Sequence, residues 1–281
     1  MAEIGRRNLL TVVREAPPGL YLDGGGLGEV LLPRRYIPKN RTPASVLDVF
    51  IYLDSEDRLV ATTETPSVMV GEFGYLKVVS VNRRVGAFLD WGLSKDLLLP
   101  FVEQARPVRA GERVVAAVYL DSQTERIVAS TRLRRHFSRE WPNYRSGQPA
   151  EFLISRETPL GYEGIVDNQH FGLLFRNNLT VLPRTGDQLK AFVRAVRPDG
   201  KIDLSVDPAG YKRVASVQLQ ILQALQTNGG RLPFDDDTPP EEIRRRYGVS
   251  KKAWKQALGA LYKDRRIEFR NPGIELFGTE L

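Results

Sequence analysis

The fold of this chain is decided by the stretch Arg83-Arg-Val-Gly-Ala-Phe-Leu-Asp-Trp-Gly-Leu-Ser-Lys-Asp-Leu-Leu-Leu-Pro100. Apolar and polar residues alternate up to a central Trp-Gly, and an apolar run follows. This pattern predicts a strand, a tight turn and a second strand. The pattern also occurs 67 positions earlier, as Gly19-Leu-Tyr-Leu-Asp-Gly-Gly-Gly-Leu-Gly-Glu-Val-Leu-Leu-Pro33. Because Phe88 aligns with Tyr21 without a gap, the chain contains an internal repeat.

The repeat continues beyond this hairpin. Tyr52-Leu-Asp-Ser55 recurs as Tyr119-Leu-Asp-Ser122, again 67 positions later. Both units are predicted to contain five short strands, which is typical of a small barrel that closes its own edges. A third, more divergent unit covers about Gly147 to Asp207. Its Gly164 aligns with Gly86 of the second unit if the following turn is three residues shorter.

From about Val214 the apolar residues follow a helical period. Three predicted helices and a closing hairpin are typical of a winged helix. The sequence therefore predicts a mainly β chain with a C-terminal α/β unit. We expect four domains, with barrels at residues 1–65, 66–134 and 144–210 and the winged helix at residues 211–281.

Charge and composition favour an anionic partner. The chain has 281 residues, with 41 Lys and Arg against 34 Asp and Glu, a formal net charge of +7 and a pI of about 9.6. Such a balance favours polyanions such as nucleic acid or anionic lipid. The chain has no cysteine, which excludes disulfides and thiolate chemistry and favours a reducing compartment.

No targeting segment is evident in the sequence. Residues 1–7 contain no apolar segment of signal-peptide length. No stretch approaches the roughly 20 apolar residues of a membrane span. We therefore expect a cytoplasmic protein without a membrane partner.

The segment from Thr131 to Arg145 joins the second and third units and is strongly basic. Its one acidic residue is Glu140, and its basic residues are Arg132, Arg134, Arg135, His136, Arg139 and Arg145. Two interpretations stay open, namely a solvated linker helix and a contact with nucleic acid.

Three segments of the second unit carry a family resemblance: Val85-Gly-Ala-Phe-Leu-Asp-Trp-Gly92, Val108-Arg-Ala-Gly-Glu-Arg-Val114 and Asp121-Ser-Gln-Thr-Glu-Arg-Ile-Val-Ala-Ser130. In this order they resemble an S1-type RNA-binding domain, a five-stranded OB-fold barrel. The resemblance implies that residues on the second and third strands, and near the turn between the fourth and fifth, contact single-stranded RNA. The repeat extends this interpretation to three tandem S1-like barrels.

The resemblance implies RNA contacts at individual positions. The stacking aromatic falls on Phe88 and, in the first unit, on Tyr21, whereas Val166 takes this place in the third unit. A position in the barrel core is the alternative for Phe88. Single-strand binding also needs a cationic groove, which arginines would supply. The predicted RNA-binding residues are Tyr21, Arg58, Arg83, Arg84, Phe88, Asp121 and Arg126.

Three such barrels followed by a winged helix resemble, across nearly the whole chain, the bacterial conserved virulence factor B family. The segment from Pro240 to Lys263 is the most family-like. The resemblance implies an RNA-binding regulatory protein without known catalytic activity. Basic residues near the third helix would meet phosphates if that helix enters a groove, and a solvated helix used in protein packing is the alternative. These residues are Arg244, Arg245, Lys251, Lys252 and Lys255.

The sequence does not predict an enzyme. His136 and His170 have no motif partners, and Gly24-Gly-Gly-Leu-Gly28 lacks the spacing of a nucleotide-binding loop. Asp235 to Asp237 lacks the neighbouring ligands that a metal site needs. We therefore expect no catalytic residue, no metal site and no cofactor.

Three hypotheses about function follow. The first is a cytoplasmic protein that binds single-stranded RNA on its barrels and regulates gene expression post-transcriptionally. The second is a transcription regulator that binds duplex DNA through the winged helix. The third is a scaffold that recruits RNA-processing or ribosomal protein partners. Self-closing barrels give no reason for a dimer, so a monomer is favoured.

Overall fold

The computed structural model describes residues 1–39, 46–176, 179, 182–206 and 208–278, without the side chains of residues 208–215. It contains three closed five-stranded barrels and a C-terminal unit of helices with a small sheet. The predicted fold class, mainly β with three OB-fold barrels and a winged helix, is confirmed. None of the described helices is both long and apolar enough to cross a membrane.

All three barrels close with the same strand order, in which the fifth strand lies between the third and the fourth. The first barrel consists of β1 (Arg7–Ala16), β2 (Gly19–Asp23), β3 (Glu29–Pro33), β4 (Val46–Leu53) and β5 (Leu59–Thr62). The second consists of β6 (Phe73–Asn82), β7 (Gly86–Asp90), β8 (Leu97–Pro100), β9 (Arg113–Leu120) and β10 (Ile127–Ser130). The third consists of β11 (Pro149–Thr158), β12 (Gly161–Val166), β13 (His170–Phe175), β14 (Gln188–Val196) and β15 (Ile202–Ser205). Closure removes the free edges that open sheets of this size would expose.

The chain divides into two compact units. One comprises Met1–Asn143, Ala150–Lys190 and Val196–Ile202, and the other comprises Tyr144–Pro149, Ala191–Ala195 and Asp203–Leu281. The first two barrels lie wholly within the first unit. The boundaries proposed for four domains stay a prediction.

A glycine opens the second strand of every barrel, at Gly19, Gly86 and Gly161. Each has a φ between 137° and 157°, and a Cβ on any of them would lie 2.0–2.2 Å from a carbonyl oxygen of the third strand. Only glycine fits this close approach. Gly161 is therefore the counterpart of Gly86, and the predicted alignment of Gly164 with Gly86 is wrong.

Residues of the first barrel pack into the hydrophobic core of the second. On β4 the residues Val49, Phe50, Ile51 and Tyr52 are all buried. Val49 and Ile51 belong to the core of their own barrel, whereas Phe50 and Tyr52 pack with residues of the second barrel. The ring of Phe50 meets Trp91 edge-on, with 5.7 Å between ring centroids. A groove between these barrels therefore has walls that are fixed to each other.

The linker between the second and third barrels is not a helix. Between Thr131 and Arg145 the chain forms a single 3-10 turn, Leu133–Arg135, so the interpretation as a linker helix is wrong. A hydrophobic cluster instead fixes the linker against both barrels. Its members are Phe73, Tyr75, Val115, Ala117, Leu133, Phe137, Leu153 and Ile165.

The C-terminal unit has the predicted winged-helix elements and one additional strand. Its helices are α1 (Pro208–Thr227), α2 (Pro240–Tyr247) and α3 (Lys251–Lys263), and its sheet has the order β16 (Arg231–Leu232), β18 (Ile274–Leu276), β17 (Ile267–Phe269). Ser250 caps α3 by accepting a hydrogen bond from the Ala253 N–H at 3.3 Å. The fully buried Trp254 donates its indole N–H to the Asp235 carbonyl at 2.8 Å.

Candidate nucleic-acid interface

A groove of about 550 Å³ crosses the outer face of β7 and β8, and we call it the β7–β8 groove. The second barrel forms one wall, and the turn between β4 and β5 of the first barrel forms the other. Its lining includes Tyr52, Asp57, Val85, Phe88, Lys95, Asp96 and Arg126. The second and third strands of OB folds, with the neighbouring loops, are a surface on which oligonucleotides bind.

Phe88 lies in the middle of β7 and faces the groove. Its neighbours Ala87 and Leu89 are fully buried in the barrel, whereas Phe88 is half-buried and lines the groove. It lies opposite Ser80 on β6 and Leu98 on β8. Strand alternation turns it away from the core, so the alternative of a core position is wrong.

Lys95 joins the two walls of the groove. Its Nζ donates to the carbonyl oxygens of Leu53 at 2.8 Å and Asp54 at 2.7 Å, both in the first barrel. Burial lowers the pKa of the Lys95 ammonium group, while the Asp57 carboxylate opposes this shift and the Arg126 guanidinium adds to it. Lys95 thus contributes a cation whose position is set by the backbone.

Arg126 and Asp57 form an ion pair at the edge of the groove, and each side chain is 49% exposed. An exposed pair of this kind contributes about 0–1 kcal/mol to stability. Arg126 is therefore held beside the groove by a contact that a phosphate could replace at small cost.

Asp121 shapes the turn between β9 and β10. Its carboxylate accepts a hydrogen bond from the Thr124 hydroxyl at 2.7 Å and from the Gln123 N–H at 3.3 Å, and these bonds lower the pKa of Asp121. In the first barrel, Asp54 holds the predicted contact Arg58 in the corresponding turn, with 2.7 Å between Nη2 and Oδ2. RNA contacts at Asp121 and Arg58 stay predictions.

Tyr21 occupies on β2 the place that Phe88 takes on β7, as the repeat predicts. Its ring is covered by Arg14, whose guanidinium carbon lies 3.6 Å from the ring centroid. Arg14 is held there by Glu29, with 2.7 Å between Nη2 and Oε2. A base could reach this face only by displacing the guanidinium or stacking upon it.

Arg83 and Arg84 lie in a turn rather than on a strand, because β6 ends at Asn82 and β7 begins at Gly86. Both are exposed, and the Arg84 N–H donates to Asn82 Oδ1 at 2.8 Å. Neither lines the groove, although the following Val85 does. Their part in RNA binding stays a prediction.

The third barrel has no aromatic residue at the position of Phe88. Counted from the glycine that opens β12, this position is Glu163, which pairs with Arg156 at 2.6 Å between Oε2 and Nε. The prediction that Val166 takes this place is wrong, because it followed from the misplaced glycine. The third barrel therefore has an ion pair where the second has a ring.

An aspartate carboxylate and a backbone carbonyl contact two of the lysines of α3. Lys255 Nζ lies 3.3 Å from Asp236 Oδ2, and Lys251 Nζ donates to the Asp237 carbonyl at 3.1 Å. The other predicted contacts of this unit are exposed, and they are Arg244, Arg245 and Lys252. Phosphates approaching α3 would meet these aspartates as well as the lysines.

Sequence reasoning missed Lys95, Asp57 and Arg14. Asp57 and Lys95 come together only because two barrels pack, and no spacing in the sequence signals that contact. Lys95 could have been found, since it lies within the hairpin that decides the fold.

Among the residues that the structure describes, no group of three or more His, Asp or Glu side chains is placed to hold a metal ion.

Comparison with known proteins identifies domains at both ends of the chain. The model of the S1 domain matches residues 4–64, and that of a CvfB-like winged helix domain matches residues 219–276. These two models describe an S1 domain and a winged helix, and neither is a catalytic family.

Relatives align with most of the chain. The chain is 25% identical over 292 residues to the uncharacterized protein YitL of Bacillus subtilis, covering 95% of this chain and 91% of that protein. It is 23% identical over 235 residues to conserved virulence factor B of Staphylococcus saprophyticus, covering 81% and 78%. A crystal structure of a multidomain protein with nucleic acid binding domains from Streptococcus pneumoniae aligns with 98% of both chains, at 22% identity and a TM-score of 0.42.

The two domain matches lie at the positions where the fold has its first barrel and its C-terminal helices. Relatives named conserved virulence factor B cover four-fifths of the chain. The resemblance to the conserved virulence factor B family is therefore confirmed: the chain joins tandem S1-like barrels to a CvfB-like winged helix.

Proposed function

We propose that this protein binds single-stranded RNA in the β7–β8 groove and regulates gene expression post-transcriptionally in the cytoplasm. The observation that carries the proposal is Phe88, an aromatic side chain turned out of the barrel into a groove that also contains Lys95 and Arg126. A ring for base stacking beside cations for phosphates is the combination that single-strand binding needs. The regulatory part of the proposal rests on the relatives named conserved virulence factor B.

The primary test compares a single-stranded RNA with a duplex DNA of matched length across a salt series. We expect the protein to prefer the single-stranded RNA. Its affinity for this RNA should fall as the salt concentration rises, because phosphate binding releases counterions. Duplex preference would favour the winged helix as the working surface. Weak binding to both would favour a scaffold that recruits protein partners.

Phe88→Ala is expected to weaken single-stranded RNA binding by roughly 1–3 kcal/mol, the usual contribution of one stacked base. The salt dependence should stay unchanged, because the substitution removes no charge. Fluorescence anisotropy with a labelled oligouridine measures both quantities. Phe101→Ala is the matched control, since Phe101 is 45% exposed on the same barrel and does not line the groove. Equal affinities of the two variants would contradict the proposed surface.

Asp57→Asn is expected to strengthen RNA binding by up to about fivefold, because Arg126 no longer has to leave an ion pair worth at most about 1 kcal/mol. Glu125→Gln is the control: it removes the same charge from the exposed residue beside Arg126 in the sequence, and among the described residues Glu125 forms no ion pair whose loss would release an arginine. If both variants gained equally, net charge rather than the release of Arg126 would explain the effect.

The winged helix is expected to contribute little to single-strand binding. Neutralising Lys251, Lys252 and Lys255 together should change single-stranded RNA affinity by less than about threefold, because two of them already contact the segment of Asp236 and Asp237. Gel-shift titration with RNA and with duplex DNA measures this. If the unsubstituted protein binds duplex DNA strongly and the triple variant does not, the transcription-regulator alternative is supported.

A further inference from the structure

A second basic groove follows the linker between the second and third barrels, and we call it the linker groove. It consists of two adjoining cavities of about 720 Å³ and 420 Å³. Arg134, Phe137 and Phe171 line both cavities, so the two form one continuous track. Its lining shares no residue with the β7–β8 groove.

Cations dominate this track. Glu140, Glu163 and Asp199 are the carboxylates of the lining, and the cationic residues are Arg106, Arg113, Arg132, Arg134, Arg139, Arg156 and Lys201. Three of the seven cations pair with carboxylates, namely Arg106 with Glu112, Arg156 with Glu163 and Lys201 with Asp199. Among the described residues, the other four have no carboxylate within ion-pair distance. A concave surface of this charge attracts phosphates.

The unpaired arginines are held in place by contacts that leave their charge uncompensated. Arg132 Nε donates to the Val102 carbonyl at 2.8 Å. The Arg134 guanidinium carbon lies 5.7 Å from the centroid of the Phe171 ring. Both side chains are exposed. Pre-positioned cations bind an anion at a smaller entropic cost than flexible ones.

Aromatic rings lie between these cations. Phe137 is fixed by Phe73 and Phe171, with ring centroids 5.5 Å and 5.9 Å away. Trp141 is 62% exposed, whereas Trp91 and Trp254 are almost fully buried. An exposed indole on a basic track offers a face to any nucleobase, since base stacking does not depend on sequence.

We infer that the linker groove is a second site for single-stranded RNA, with Arg132 and Arg134 on phosphates and Trp141 stacked on a base. The inference extends the proposed function from one site to two on the same compact unit. An acidic protein segment would satisfy the arginines, but its acidic side chains carry no aromatic ring, whereas RNA supplies an aromatic base for Trp141 beside every phosphate. The observations therefore favour RNA.

The test uses the full chain and an oligouridine of about 24 nucleotides, longer than the roughly 4–16 that one OB fold covers. Arg132→Gln with Arg134→Gln should lower its affinity about 25-fold at 0.1 M salt and reduce the salt slope by about 1.4, at about 0.7 per phosphate on a single strand. The control pair is Arg34→Gln with Arg35→Gln, two exposed arginines in the 3-10 turn after β3. Equal losses in the two double variants would overturn the inference.

A spectroscopic readout separates this site from the β7–β8 groove. The indole N–H signal of Trp141 in a two-dimensional NMR spectrum should shift when oligouridine is added, also in the Phe88→Ala variant. If RNA binds and Phe88→Ala weakens it while the Trp141 signal stays still, the inference fails and the proposed function survives. If the protein binds no RNA, the proposed function fails as well. A Trp141 shift caused by oligoglutamate and not by oligouridine would overturn the inference in favour of an acidic protein partner.

Discussion

Phe50→Ala is expected to lower the free energy of unfolding of the first two barrels by roughly 3–5 kcal/mol, the usual cost of truncating a buried phenylalanine. Phe50 is fully buried, and its ring meets Trp91 of the second barrel and Tyr52 of its own strand. The cavity would open between the first and second barrels, so the two barrels could move relative to each other. RNA affinity should fall too, although Phe50 does not line the β7–β8 groove.

The three tryptophans make this expectation measurable in the intact chain. In a urea titration followed by indole N–H signals, the midpoint reported by Trp91 should decrease and that reported by Trp254, in the winged helix, should not. Phe101→Ala serves again as the control, because it truncates an exposed phenylalanine. An unchanged midpoint at Trp91 would mean that the barrels do not depend on the Phe50 contact.

Much of the fold could be predicted from the sequence because burial leaves a periodic trace. The constant offset of 67 positions aligned the strands of the first two barrels, and alternation indicated that Phe88 could face outward. Alternation does not indicate whether the outer face of a strand contacts solvent or a neighbouring barrel. Phe50 and Tyr52 lie on the outer face of β4, and their burial depends on a neighbouring barrel rather than on any local pattern.

The third barrel shows a different limit. Gly161 and Gly164 are three positions apart on β12, and the sequence alone does not distinguish them. The distinction lies in the backbone: Gly161 has a positive φ and would place a Cβ against the third strand, whereas a Cβ on Gly164 would meet Leu153 of the first strand. Prediction of the site from the sequence has the same kind of limit. Asp57 approaches Arg126 only after two barrels have packed, so the charge balance of the groove is a tertiary property.

Gly86→Ala is expected to destabilise the second barrel by about 3 kcal/mol, at the upper end of the usual range for single substitutions. The new Cβ would lie 2.2 Å from the Leu99 carbonyl oxygen and 2.9 Å from Pro100 Cα. These are backbone atoms of β8, which cannot turn aside as a flexible side chain could. The Trp91 midpoint in urea measures the loss, and Gly26→Ala is the control, since nothing lies within 4 Å of a Cβ at that position.

The same substitution also tests how the groove is built. Gly86 pairs with Pro100 at the start of β7, two residues before Phe88, so relieving the collision displaces the ring without removing it. Phe88→Ala removes the ring and leaves the strand in place. If RNA stacks on Phe88, both variants lose affinity and only Gly86→Ala also loses much stability. If Gly86→Ala lost stability and kept its affinity, the position of β7 would not matter to the ligand. RNA would then have to bind elsewhere, and the linker groove would be the surface to examine, because it lies on other residues of the same unit.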